Sequence, residues 1–155
     1  MAQQKHWNNA RRILEEQFVQ HVLKIVQNYV NDRLRSSLLE WPNKPAKFSR
    51  KTRLYYSILD QAAEIDRDFN EINDLDIYKC FLQDPDFQDE FNSICNRLFA
   101  RGKTYGSFCA FISLIGLLCI ESAKHNRDVN FIIDLCDKYY RKNLNVWFIM
   151  NIQSF

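Results

Sequence analysis

Between Asn9 and Val30, apolar residues fall at Ile13, Leu14, Phe18, Val22, Ile25, Val26, Tyr29 and Val30, the recurrence of one stripe along a helix. This spacing predicts a first amphipathic helix lying along the outside of a bundle. Pro42 and Pro45 cannot continue a helix, because proline lacks the backbone N–H and clashes with the preceding turn, so 41–49 reads as a loop. A second amphipathic helix is predicted from about Arg50 to Asn70, and after Asn73 and Asp74 a short one from Leu75 to Leu82. Asp84 and Pro85 form an N-cap and first-turn pair for a helix carrying Phe87, Phe91, Ile94, Cys95, Leu98 and Phe99, which Gly102 ends. From Phe108 to Ile120 the pattern changes. The run FCAFISLIGLLCI is apolar on every face, with Thr104 as N-cap and Glu121 closing it, and a helix without a polar face is buried on all sides. Its 13 residues fall short of the about 20 that span a bilayer, so it reads as the central helix of a globular bundle. A further helix is predicted from about Val129 to Tyr140, and the closing apolar piece, Val146 to Phe155, is again too short to span.

Composition sharpens this picture. With Gly 3 and Pro 3, the chain lacks the turn residues of a β-rich fold, and 46% hydrophobic residues exclude a disordered one. The expected fold class is all-α: one domain over 1–155, a bundle of seven to eight helices around the buried helix. Lys+Arg 21 against Asp+Glu 19 leaves a charge of +2, so no global field recruits nucleic acid or an anionic membrane. Lys44, Lys47, Arg50, Lys51 and Arg53 are a local exception, read as a solvated linker and helix start.

Cys80, Cys95, Cys109, Cys119 and Cys136 lie in apolar runs without a CxxC pair, the pattern of buried, reduced thiols in a cytosolic protein. His6, His21 and His125 have no ligand spacing, so no metal site is expected. The polar start from Met1 to Trp7 is not a secretory signal. There is no Gly-rich phosphate loop and no GxSxG, so neither an enzyme nor a cofactor is expected.

The stretch from Phe99 to Ser122, FARGKTYGSFCAFISLIGLLCIES, resembles the first homology motif of the Bcl-2 family, F-x-x-G-x-N-W-G-R-x-x-A-F-x-x-x-x-G-x-x-C-x-E-S. Phe99, Gly102, Gly106, Ala110, Phe111, Gly116, Cys119, Glu121 and Ser122 match by residue and spacing, and Tyr105 stands for the aromatic Trp. The helix before it and the overall helix order resemble the family too. Two departures matter. Thr104 and Ser107 replace the motif's Asn and Arg, and that Arg normally meets an Asp of the bound helix. The second homology motif is poorly kept, with Tyr139, Asn143 and Trp147 near its Trp, Asn and Trp but without its Gly-Gly. Ile58, Ala62, Ile65 and Phe69 reproduce the spacing of a Bcl-2-homology-3 helix, but its Asp would fall at Arg67, with Asp66 one place off, so this helix reads as scaffold.

The resemblance implies an apolar groove that receives the Bcl-2-homology-3 helices of pro-apoptotic Bcl-2 proteins. Its lining would be Phe69, Ile77, Phe81, Phe91, Ile94, Leu98, Tyr105, Ala110, Phe111 and Leu114, with Gly106 letting the ligand backbone come close. Arg97 and Arg101, four apart on one helical face, are the candidates for the cation that Ser107 lacks. The expected function is inhibition of apoptosis. Compactness, a short first loop and no stable transmembrane anchor further suggest a viral homologue in the host cytoplasm, reaching mitochondria through its partners. A homodimer stays open. The alternative is a viral Bcl-2-like protein that blocks inflammatory or innate immune signalling through another surface.

Overall fold

The computed structural model describes residues 2–46, 48, 50–72 and 87–155, and of 68–72 the backbone alone. Six α-helices stand among the described residues: α1 (Ala2–Ser36), α2 (Arg53–Ile72), α3 (Phe87–Leu98), α4 (Tyr105–Lys124), α5 (Val129–Asn143) and α6 (Asn145–Asn151), closed by a 3-10 turn at Ile152–Ser154. The short helix expected at Leu75–Leu82 and the cap at Asp84 lie outside the described residues.

α4 is the hub. Every residue from Phe111 to Ile120 is buried, and α1, α2, α3 and α5 all pack against it. The helix is longer than its apolar core: at 20 residues it has the length and composition to cross a membrane, and its burial within the bundle is what marks it as a core helix. It starts at Thr104, whose extended backbone and side-chain oxygen cap the first turn, and α5 starts in the same way at Asp128, which accepts from the Asn130 N–H at 3.0 Å.

α1 turns the buried residues Val19, Val22, Ile25, Val26, Tyr29, Val30 and Leu34 into the bundle, where it packs on α4, α5 and α6. One close approach between α1 and α4 is at Gly116. A Cβ placed there would lie 2.5 Å from Cε1 of Tyr29, a ring that is itself buried. Gly116→Ala should therefore overpack the α1–α4 contact, costing roughly 2 kcal/mol and lowering the melting temperature by about 5 °C. A thermal melt by circular dichroism checks this, and an unchanged transition would mean that the ring moves aside freely.

A polar knot lies under the same contact. The Arg33 guanidinium of α1 pairs with the Asp66 carboxylate of α2, which is buried, and Tyr29 and Ser113 bring hydroxyls into the same region. Burial raises the Asp66 pKa and the Arg33 charge opposes that rise. The residue one place off the family's ligand Asp thus faces inward, tying α2 to α1, while Arg67 is exposed. Elsewhere, Arg141 of α5 reaches Glu16 of α1 at 2.6 Å and Asp137 at 3.1 Å. In the loop after α1, the Trp41 indole N–H donates to Asn130 Oδ1 at 3.1 Å, pinning that segment to α5.

Candidate ligand groove

α3 and α4 are joined by 99–104, where Gly102 adopts φ +125, a value that L side chains rarely adopt. This turn sets the start of α4 beside the end of α3, and the candidate groove residues divide here by depth. Phe91 and Phe111 are fully buried. Each ring packs on Tyr139 of α5, with centroids 6.2 Å and 5.6 Å away, and Phe99 stacks on the same tyrosine at 6.2 Å. Ile94 and Leu114 are buried as well. Leu98, Tyr105 and Ala110 are half-buried, so of the lining candidates on these helices they are the ones within reach of a ligand. Phe69 has no described side chain, and Ile77 and Phe81 lie outside the described residues.

Gly106 is exposed, and a Cβ added to it would find nothing nearer than the Thr104 hydroxyl at 3.8 Å. A ligand backbone can approach α4 closely there. Tyr105 beside it is engaged on two sides: its hydroxyl and that of Ser57 on α2 are 2.5 Å apart, and its ring lies 5.0 Å from that of Phe155. Burial raises the Tyr105 pKa, and the Ser57 bond opposes that rise. The aromatic of the motif therefore binds α2 and the end of the chain together. Ser57 and Phe155 were absent from the expected site, and at 48 and 50 positions from Tyr105 no local pattern points to them.

Ser107 has a structural task. Its N–H donates to Thr104 Oγ1 at 3.1 Å, its own Oγ accepts from the Thr104 N–H at 2.9 Å, and together they form a reciprocal capping box. The position where the family motif carries Arg is thus occupied by a residue that closes the α4 N-terminus. Arg97 and Arg101 are both exposed, as is Lys103, and none has an ion-pair partner among the described residues. Also among the described residues, no group of His, Cys, Asp or Glu is arranged to hold a metal ion.

No protein-family model matches the sequence, and no curated protein matches it. Solved structures do resemble the fold. The crystal structure of chicken BOK has a TM-score of 0.72 and 18% identity, over 88% of this chain and 91% of that one. Trichoplax adhaerens trBcl-2L2 bound to trBak BH3 has a TM-score of 0.61 and 21% identity, over 83% of this chain and 89% of that one. Both are Bcl-2 family proteins, and at such identities the likeness speaks for architecture: this chain has the Bcl-2 fold, a helical bundle wrapped around α4.

Proposed function

We propose that this chain restrains apoptosis by binding the Bcl-2-homology-3 helices of pro-apoptotic Bcl-2 proteins on the face formed by α2, α3 and the start of α4. The observation that carries this reading is Gly106, exposed and open above its Cα in the first turn of α4. Support comes from the resemblance of Phe99 to Ser122 to the first homology motif, and from a neighbour of the same fold that is bound to such a helix. The buried Phe91, Ile94, Phe111 and Leu114 would then form the bed of the groove, with Leu98 and Ala110 at its surface. Arg97, Arg101 and Lys103 are the cations available to an acidic ligand residue. The protein would act in the cytoplasm, and a viral homologue is the origin we favour.

Gly106→Glu is the test. The added side chain would stand where the ligand backbone must lie, so binding of a fluorescent Bcl-2-homology-3 peptide should be lost while the circular dichroism spectrum stays unchanged. Wild-type affinity in the folded variant would locate the groove elsewhere. The use of Ser107 as a helix cap favours a second reading, in which the chain blocks inflammatory signalling through another surface. A panel of such peptides that all fail to bind the wild type at high micromolar concentration would select it.

A further inference from the structure

The first part of α1 stands clear of the bundle. Residues 2–14 are all exposed and extend the helix by about 20 Å. Trp7 is 73% exposed, Ile13 61% and Leu14 47%. At 3.6 residues per turn, Ala2, Trp7, Ala10, Ile13 and Leu14 share one arc of roughly 140°, with Gln3 and His6 between them, and Lys5, Arg11 and Arg12 fall on the remaining face. A helical extension that packs on nothing is marginal in water, so an amphipathic one is best explained by a surface that covers it.

Charge indicates which surface. Residues 2–14 contain no acidic residue. The two acids that follow are already met, Glu15 by Arg11 at 3.0 Å and Glu16 by Arg141 at 2.6 Å. Further along α1 a furrow of about 650 Å³ opens between this helix and the Arg50–Tyr55 segment, with Ile13, Ile25 and Tyr55 among its lining residues. Lys24 and Arg50 also line it and have no acidic partner among the described residues. Residues 2–14 therefore carry a local positive charge, although the whole chain is nearly neutral.

We propose that this end of α1 docks the protein on an anionic phospholipid surface. Trp7, Ile13 and Leu14 enter the boundary between headgroups and acyl chains, and Lys5, Arg11 and Arg12 meet the headgroup phosphates. Three large apolar side chains are few for a stable protein interface, which takes about 800 Å² from each partner. On a lipid surface, cations spread over a helix add to the attraction without needing individual partners.

The test uses the full chain and two kinds of vesicle, phosphatidylcholine alone and an equal mixture with phosphatidylserine. Sedimentation should carry the protein down with the mixed vesicles only, high salt should release it, and tryptophan emission should shift to the blue on binding. Trp7→Gln with Ile13→Gln and Leu14→Gln should weaken partitioning about tenfold or more, as should Lys5→Gln with Arg11→Gln and Arg12→Gln. Both variants should keep the wild-type melting transition and Bcl-2-homology-3 peptide binding, which separates this surface from the groove. Equal binding to neutral vesicles, no binding to either, or variants that sediment like the wild type would overturn the proposal. So would a wild-type dimer that ignores vesicles and that the apolar triple variant dissolves, since the face would then serve a second copy of the chain.

Discussion

Raising the pH from about 9 to about 11 should unfold this domain at room temperature. Cys95, Cys109, Cys119 and Cys136 are free and buried. Burial pushes every one of these thiols above its usual 9.0: Cys109 to about 11, with the Tyr105 hydrogen bond opposing the rise, and the other three further. In the unfolded chain they ionise near the ordinary value. Above that pH the native state holds protons that the unfolded state has released, so stability falls as pH rises, by about 1.4 kcal/mol per unit for each thiol. Four thiols together give roughly 5 kcal/mol per unit until Cys109 itself ionises, against a typical total stability of about 5–15 kcal/mol. Tyr29 and Tyr139, both raised to about 12 chiefly by burial, steepen the fall above pH 10. Urea titrations under reducing conditions, repeated at rising pH, measure the slope. A midpoint that stays constant through this range would mean that the thiols reach solvent in the folded protein.

Ile115→Asp should abolish folding under all ordinary conditions. Ile115 is wholly buried on α4, the helix that the other long helices surround. A carboxylate there would lie within the hydrophobic core, and an unpaired buried charge costs several kcal/mol even after it shifts its pKa and takes up a proton. The lost isoleucine contacts add about 2–5 kcal/mol more. Together these reach the whole stability of a domain this size. The same change at Ile13, which is 61% exposed, should alter stability by only about 0.5 kcal/mol. Near-UV circular dichroism and a denaturant titration of both variants make the comparison. A cooperative transition in Ile115→Asp would remove α4 from the centre of the fold.

What the sequence makes legible here is packing. The run FCAFISLIGLLCI has no polar face, so its burial could be inferred without any knowledge of its neighbours, and Phe111 to Ile120 are all buried. The periodic stripe of α1 gave its packed middle but not its length. The helix runs from Ala2 to Ser36 instead of Asn9 to Val30, because Trp7 and Leu34 stand isolated among polar residues at its ends and no proline marks where it stops. Ile13 and Leu14 fit the stripe and yet are exposed, since periodicity records which face is apolar and not whether a partner covers it. At the candidate groove, the motif match brought out Gly106 and Gly116 alike, and the structure assigns them opposite surroundings: open space over one, a tyrosine ring against the other. Contacts between distant positions were out of reach of local pattern. Arg33 with Asp66, and Tyr105 with Ser57 and Phe155, are set by how the helices cross. Ser107 could be seen as a missing cation, but its capping role depends on the hydrogen bonds of one turn.

The seating of Tyr29 against Gly116 also limits how this molecule can move. A slide of α1 along α4 by one residue, about 1.5 Å, would carry the ring away from the space that Gly116 leaves and toward the side chains one turn along the same face, Ile112 or Ile120. The two helices are therefore geared, free to tilt together but not to translate past each other. If partner binding rearranges the bundle, the packed part of α1 and α4 should travel as one rigid chassis while other elements swing around it, and amide hydrogens from Val19 to Leu34 and from Phe111 to Ile120 should be the last to exchange.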